Sequence, residues 1–317
     1  MAQAVLKYSA VRETPQDIQS MLARIMTNSH ALVTPTLDPL GICLDPVTAL
    51  LNHSCVPNAH IVFDGVSLCL RSLRQIAPNE EITISYIDTT NQTSSRQNEL
   101  SSRYFFTCQC SACQKRLTNG QPEMPMPAPT QQLANDAIAL QLQAATLPST
   151  NAKGKLEEAI SLLEEENLPP HHQPYASLLH SLFLCALGAQ DWAHALNVAL
   201  ITRRCVEPVQ YPLPWHPIRV VKSWVLLRLL VHIATLDAKS EGTLGTLGGL
   251  GVNYLLLSQG LWKQVNDGVA KSHGGHSRLA REVRLFGEEI GAEGSKADDE
   301  RLEFEWAKIE KMAESLR

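Results

Sequence analysis

In the first third of the chain, short apolar runs alternate with turn residues. This pattern predicts β-strands that follow one helix. Apolar positions recur at helical spacing over residues 14–26, so we expect a short helix there. Residues 32–44 contain two prolines and are expected to be extended or looped. Asp64-Gly65 separates two β-type runs, which predicts a hairpin with a type I′ turn. Alternation predicts a third strand over residues 82–86.

The second part of the chain has a helical pattern. Residues 95–104 predict a short helix, and residues 118–130 contain four prolines without a periodic apolar face, which predicts a linker. Beyond it, apolar positions recur three and four residues apart between glycine and proline stops. This pattern predicts helices over residues 131–143, 155–166, 174–187, 191–206, 216–236, 277–290 and 299–316.

Successive amphipathic helices joined by short turns predict a tetratricopeptide-like solenoid. The glycine-rich run at residues 242–251 is expected to be a flexible connector, because no strand precedes it and no Gly-Lys-Ser/Thr follows. The expected layout is therefore a β-containing domain over residues 1–117, a linker over 118–130 and a helical domain over 131–317.

Composition narrows the function. The chain has 317 residues, 44% of them hydrophobic, and a formal net charge of −5. This charge argues against sequence-independent binding to nucleic acid, although a basic partner stays open. Residues 1–15 contain no long apolar run, so no signal peptide is expected. Residues 220–236 are too short and too charged to span a membrane. A reducing compartment, cytoplasm or nucleus, is the expected location.

Eight cysteines are divided between one cluster and several isolated positions. Cys108, Cys110 and Cys113 form a C-x-C-x-x-C pattern, and Cys55 lies some fifty residues upstream. Zn²⁺ prefers soft, deprotonated sulfur in tetrahedral geometry, so these four thiols predict a zinc site. The isolated cysteines are expected to be small core residues; they are Cys43, Cys69, Cys185 and Cys205.

Several motifs follow one another in a recognisable order. They are Asn28-Ser29 after a helix, the run from Leu50 to Asn58 (LLNHSCVPN), the run from Glu80 to Tyr86 (EEITISY), Arg96-Gln97 with Leu100, and the run from Tyr104 to Cys113 (YFFTCQCSAC). Residues 25–116 thereby resemble the second half of a SET methyltransferase domain with its cysteine-rich post-SET tail. The SET-and-MYND family matches more closely, and its helical C-terminal domain is similar to the remainder. The resemblance predicts an α+β fold: part of a β-rich SET domain with a post-SET zinc site, followed by an all-α, tetratricopeptide-like domain.

The resemblance also implies an activity and its residues. It implies a protein-lysine N-methyltransferase, acting on a histone or non-histone protein, with S-adenosylmethionine as methyl donor. Tyr86 matches the catalytic tyrosine, and Tyr104 a second tyrosine of the lysine channel. The residues matching cofactor contacts are Asn28, Asn52, His53, Tyr86, Tyr104 and Phe106, and the implied zinc ligands are Cys55, Cys108, Cys110 and Cys113.

Structural alternatives exist for several of these residues. Tyr86 could be an ordinary strand tyrosine with its ring in the core, and Asn52 a turn residue. Phe105 is expected to pack in the core. His30 stands where the family usually has phenylalanine; it either alters the lysine channel or is a surface histidine.

The chain departs from the family at its start. The Gly-x-Gly strand segment, which binds part of the cofactor, and the MYND finger are expected to be missing, which indicates a truncated gene model or a reduced relative. A second hypothesis is therefore a catalytically inactive, zinc-braced scaffold that binds partners through its helical domain. In both cases we expect a monomer with a protein partner, chromatin or chaperone among them, and no contact with nucleic acid or membrane.

Overall fold

The computed structural model describes residues 14–118, 128–239, 251–292 and 299–315. The chain divides into two compact units, Met1–Thr118 and Asn119–Arg317. Most of the predicted linker, and all but the last residue of the predicted glycine-rich connector, lie outside the described residues.

The first unit combines small sheets with helices. Helix α1 begins after Thr14, whose side chain accepts a hydrogen bond from the Asp17 amide in a capping box. The elements of this unit are α1 (Pro15–Asn28), β1 (His30–Val33), β2 (Pro39–Cys43), a 3₁₀ turn (Thr48–Leu50), β3 (Asn52–His53), β4 (Ala59–Asp64), β5 (Ser67–Ser72), β6 (Thr83–Ile84), α2 (Thr93–Tyr104) and α3 (Ser111–Thr118). The extended segment predicted for residues 32–44 belongs to the antiparallel pair β1–β2.

The hairpin predicted at Asp64-Gly65 joins β4 and β5, but its turn differs in detail. Asp64 pairs with Ser67, so the two central residues are Gly65 and Val66. Gly65 has a φ of 64°, whereas Val66 keeps a negative φ. The type I′ prediction is therefore wrong: positive φ at the first central position alone is typical of a type II′ turn.

A short parallel pair carries the segment of interest. β3 pairs with β6, with Asn52 opposite Thr83 and His53 opposite Ile84. The predicted strand over residues 82–86 is thus reduced to two residues. Buried Asn58 fixes this arrangement: its Oδ1 accepts from the Thr83 amide at 2.9 Å, and its Nδ2 donates to the Glu81 carbonyl at 2.8 Å. The residues after β6 are therefore held beside β3.

We expect the stability of this unit to depend on pH through His60 in β4. Burial lowers the pKa of His60 from 6.5 to about 4. The neutral form is therefore stabilised in the folded state: the contribution is complete above pH 6.5 and is lost as pH falls towards 4. We expect unfolding free energy to decrease by at most ~1.4 kcal/mol per pH unit over this window. Urea denaturation of the wild type and His60→Gln between pH 7 and 4.5 measures it; equal slopes would contradict the assignment.

The second unit is helical throughout its described residues. Its helices are α4 (Ala128–Ala144), α5 (Ser149–Glu165), α6 (Tyr175–Gly188), α7 (Trp192–Ile201) extended by a π-helical turn (Thr202–Val206), α8 (Glu207–Gln210), α9 (Pro217–Lys239), α10 (Tyr254–Val269) extended by a second π-helical turn (Ala270–Gly274), α11 (Arg278–Glu289) and α12 (Asp299–Ser315). Consecutive helices contact one another along the chain from α4 to α7, and again from α9 to α11. The predicted α+β class with a helical C-terminal part is confirmed.

The core of the helical unit is built mainly from alanine and leucine. Buried residues of α4 to α7 form one cluster, which includes Leu156, Leu163, Leu178 and Leu182. Seven helices were predicted near their observed positions, whereas α10 was not predicted from sequence. No helix within the described ranges has both the length and the apolarity that a membrane crossing requires.

Candidate active site and metal centre

The four predicted zinc ligands meet in the first unit. The ligand atoms of Cys55, Cys108, Cys110 and Cys113 all lie within 4.8 Å of one another. Cys55 Sγ lies 3.9 Å from Cys108 Sγ and 3.8 Å from Cys113 Sγ. A tetrahedron with Zn–S bonds of about 2.3 Å has S–S edges of about 3.8 Å. The cluster therefore has the donor set and the spacing that Zn²⁺ requires.

The environment of the thiols also suits a cation. Burial raises the pKa of Cys55 and of Cys108. Burial acts in the same direction on Cys110, but hydrogen bonds from the Cys113 backbone and the Cys108 side chain bring its pKa down to about 6. Several buried thiolates repel one another, so a bound cation is the natural means of keeping all four deprotonated.

Helix α2 braces the cluster from behind. Gln97 Nε2 donates to the Cys108 carbonyl at 2.9 Å, and the Cys108 amide donates to Gln97 Oε1 at 2.9 Å. Buried Arg96 lies next to Cys55 and Cys113, where its positive charge favours thiolates. Leu100 is fully buried among the same residues. Arg96, Gln97 and Leu100, which form one of the sequence motifs, thus pack against the cysteine cluster.

The Gln97 amide clamp can be tested directly. Gln97→Ala removes two hydrogen bonds to the backbone of a metal ligand, and partners of this kind commonly contribute about 10–100-fold to metal affinity. We expect faster zinc transfer to a chromogenic chelator and a loss of about 1–3 kcal/mol in unfolding free energy. The control is Asn98→Ala, at an exposed position on the same helix. Equal zinc release from both variants would contradict the clamp.

The isolated cysteines do not behave as predicted. All four are partly exposed, so the prediction that they are core residues is wrong; they are Cys43, Cys69, Cys185 and Cys205. Cys185 still packs beside the core of the helical unit. None of the four joins a metal-ligand group in the part of the chain that the structure describes.

A pocket of about 660 Å³ opens beside the cysteine cluster. Its volume is within the usual range for sites that bind small molecules. All six residues predicted to contact the cofactor line it: Asn28, Asn52, His53, Tyr86, Tyr104 and Phe106. The other lining residues were not predicted from sequence; they are Ser20, Ala23, Arg24, Thr27 and Phe105. Four of these belong to α1, so the helix forms one wall.

His53 links the pocket to the cysteine cluster. The Tyr86 amide donates to His53 Nδ1 at 3.0 Å, and His53 Nε2 lies 3.3 Å from Cys55 Sγ. Burial, helped by the charge of Arg96, lowers the pKa of His53 to about 4. The neutral ring therefore accepts at Nδ1 and donates from Nε2–H to the sulfur. Both ring nitrogens of His53 are thus engaged within the protein.

Two aromatic rings, Tyr86 and Phe106, pack beside His53, and Tyr104 packs against Tyr86. The Tyr86 and Tyr104 ring centroids are 5.0 Å apart, and Phe106 meets Tyr86 edge to face at 6.4 Å. Tyr104 Oη donates to the Tyr86 carbonyl at 3.2 Å, and Tyr86 Oη donates to the Leu51 carbonyl. Burial raises the pKa of both phenols, so they stay protonated at neutral pH. The pocket thus has a rigid aromatic wall with fixed hydroxyl groups.

The polar wall is formed by two asparagines. Asn52 Nδ2 donates to Glu81 Oε1 at 2.6 Å, which places a carboxylate beside the pocket. Asn28 Nδ2 donates to the Arg24 carbonyl at 2.8 Å and to Thr27 Oγ1 at 3.1 Å. Asn28 Nδ2 thus uses both of its N–H groups and Asn52 Nδ2 one, and the carbonyl oxygens of the two side chains can accept hydrogen bonds from a ligand.

Two neighbouring predictions need comment. Phe105 was expected in the core, but it is 81% exposed, so that prediction is wrong. It caps α2 with a left-handed φ of 64°, which turns its ring outward to the edge of the pocket. His30 is partly buried at the start of β1, and burial lowers its pKa. His30 does not line the pocket.

The comparisons with known proteins identify the class of domain. The SET domain family matches residues 10–87, which include β1 to β6 and most of the pocket. The chain therefore contains a SET domain. It is also homologous to SET-and-MYND proteins over much of its length, which confirms the resemblance found in the sequence.

Three relatives illustrate the extent of this homology. The SET domain and MYND-type zinc finger protein 6 of Schizosaccharomyces pombe is 40% identical over 114 residues, 36% of this chain and 23% of its own length. Histone-lysine N-methyltransferase SMYD3 of Mus musculus is 29% identical over 220 residues, 68% and 50% of the two chains. N-lysine methyltransferase SMYD2 of Bos taurus is 26% identical over 237 residues, 69% and 53%. The chain thus spans from about a quarter to about half of these relatives.

Proposed function

We propose that this protein is an S-adenosylmethionine-dependent protein-lysine N-methyltransferase. One observation carries the proposal: the six residues matched to cofactor and channel positions, from four separate segments of the chain, line a single pocket beside the cysteine cluster. The relatives named as histone-lysine and N-lysine methyltransferases support the reaction class. Histone and non-histone substrates both fit this proposal.

The pocket has the chemistry that the cofactor requires. Phe106 offers a ring for stacking on adenine, and the Asn52 carbonyl oxygen can accept from an ammonium group. Two phenol rings provide electron-rich faces, which tolerate a positive charge such as a sulfonium. Bound here, S-adenosylmethionine would supply the electrophilic methyl group.

Tyr86 and Tyr104 would act on the incoming lysine. A free lysine amine has a pKa near ~10.4 and is protonated at neutral pH, so it must lose a proton before it can attack. A narrow aromatic channel disfavours the charged form and aligns the nitrogen with the methyl group. The Tyr86 hydroxyl, oriented by the Leu51 carbonyl, can accept from the amine and hold its lone pair in line.

The metal would be structural. Zn²⁺ held by Cys55, Cys108, Cys110 and Cys113 joins the segment that carries His53 to the segment that follows Tyr104 and Phe106. All four ligand positions are then filled by protein, as in structural rather than catalytic zinc sites. The metal would thus hold the two walls of the pocket together.

The proposal also includes the domain boundaries, the partners and the location of the protein. The SET and zinc part extends over residues 1–117 and the tetratricopeptide-like helical part over 131–317, with a proline-rich linker between them. The protein would act as a monomer, in the cytoplasm or nucleus, on a lysine-bearing protein or peptide. The helical part would take a chromatin or chaperone partner.

Titration calorimetry of the purified, zinc-loaded chain with S-adenosylmethionine tests the proposal. We expect one binding site per chain, and a much weaker one in Asn52→Ala, which removes a polar group of the pocket. Asn98→Ala, far from the pocket lining, serves as control and should bind like the wild type. If the folded wild type binds no cofactor, the enzyme hypothesis fails and the zinc-braced scaffold is left.

A further inference from the structure

The charge distribution of the pocket is asymmetric. The described residues that line it include one arginine, Arg24, and no lysine, aspartate or glutamate. The neighbouring carboxylate, Glu81, is bound to the side chain of Asn52. The pocket therefore offers a positive group from α1 and a negative environment at Asn52.

Arg24 is held in place by its backbone. The lining residues of α1 recur three and four positions apart, at 20, 23, 24, 27 and 28, so they share one face of the helix. The Arg24 carbonyl accepts from Asn28 Nδ2 at 2.8 Å and from Thr27 Oγ1 at 3.2 Å. These bonds secure the last turns of α1 beneath the pocket.

The guanidinium of Arg24 is not bound by any other residue that the structure describes. Within residues 14–118, 128–239, 251–292 and 299–315, no hydrogen bond, ion pair or ring contact of its side chain is found. Other arginines of the first unit do have such contacts: Arg74 pairs with Glu80, Arg96 with Asn91 and Thr93, and Arg103 with Glu99. A planar donor with a fixed charge matches the geometry of a carboxylate or a phosphate.

We propose that Arg24 binds the α-carboxylate of the methionine part of S-adenosylmethionine. This assignment rests on the proposed function. The methionine part of the cofactor carries one carboxylate and one ammonium group. The Asn52–Glu81 pair favours the ammonium group, and the positive charge of Arg24 favours the carboxylate. Arg24 is thus a cofactor-binding residue that the sequence motifs did not indicate.

A comparison of two ligands tests the assignment. Calorimetry with S-adenosylmethionine is set beside calorimetry with its decarboxylated form, which lacks only the carboxylate. We expect Arg24→Gln to weaken binding of S-adenosylmethionine roughly tenfold, the low end for a charge-assisted hydrogen bond at an exposed site. Binding of the decarboxylated form should stay within about twofold of the wild type, and Arg24→Lys should recover part of the loss.

Matched controls separate the possible outcomes. Arg281→Gln, at an exposed position of the helical unit, makes the same change in net charge and should leave both affinities unchanged. The assignment is overturned if Arg24→Gln binds S-adenosylmethionine like the wild type, or if it loses affinity equally for both ligands. A wild type that binds neither ligand contradicts the proposed function itself, which is a different result from either of these.

Discussion

Cys55→Ser is expected to release the metal and to separate the two segments that build the pocket. The wild type should contain one zinc per chain, and the variant far less. Cys55 contributes the one ligand from outside the 108–113 segment, so its loss breaks a cross-link between distant parts of the chain. Structural zinc sites contribute about 10–16 kcal/mol of apparent binding energy at pH 7. Losing one of four ligands should cost at least ~3 kcal/mol of unfolding free energy.

Metal analysis by mass spectrometry and thermal denaturation give the two measurements. Cys43→Ser is the control, because Cys43 is partly exposed and lies outside the cluster. A Cys55→Ser protein with one zinc per chain and the melting temperature of the wild type would contradict the four-cysteine site. Removal of zinc from the wild type by a chelator should reproduce the effect of Cys55→Ser.

The loss should extend to the pocket. His53 Nε2 lies 3.3 Å from Cys55 Sγ, and its Nδ1 accepts from the Tyr86 amide. Displacing the sulfur therefore disturbs the ring that positions Tyr86. We infer that metal and pocket are one structural entity, so that zinc content and cofactor affinity should fall together.

The sequence predicts the parts of this site in which residue type determines the chemistry. Three cysteines within six residues indicate a metal, and the Asn-His-Ser-Cys run indicates where the fourth ligand lies. Gln97 is different. Its clamp on Cys108 depends on the direction of α2 relative to a loop eleven residues later, which no local pattern specifies.

Packing explains the main element that sequence analysis missed. Helix α10 contains Gly260 and Gly268, and glycine weakens the pattern expected of a helix. The structure shows why they are there. A Cβ on Gly260 would lie 2.5 Å from Leu302 Cδ1, and one on Gly268 would lie 2.9 Å from Val220 Cγ2. Both glycines allow close helix contacts, and such contacts are visible only after the fold is known.

Phe105 was mispredicted for a related reason. Its hydrophobicity favoured the core, but the end of α2 requires a left-handed residue, and this conformation directs the ring away from the interior. Arg24 was overlooked because a single arginine on an amphipathic helix is usually a solvated side chain. A functional role for Arg24 is indicated only by the pocket on that side of α1.

The hydroxyl of Tyr86 is expected to matter for turnover and not for cofactor binding. Tyr86→Phe keeps the ring, which lies 5.3 Å from His53 and 5.0 Å from Tyr104, and keeps the carbonyl that accepts from Tyr104 Oη. It removes only the hydroxyl that the Leu51 carbonyl orients. Misplacing the nucleophile can cost about 10²-fold in rate, so we expect turnover to fall roughly a hundredfold when the group that orients the amine is lost.

The effect on rate is measured under single-turnover conditions, as methyl transfer from labelled S-adenosylmethionine to a lysine-bearing protein. Calorimetry measures cofactor affinity. Tyr175→Phe makes the same chemical change in the helical unit, where the hydroxyl donates to Glu164 Oε1 at 2.5 Å. It should lower stability and leave turnover unchanged. Because partial burial raises the pKa of Tyr86, the phenol is present as O–H throughout the neutral range. A rate for Tyr86→Phe equal to that of Tyr175→Phe would therefore remove Tyr86 from the chemistry and leave it as a wall of the pocket.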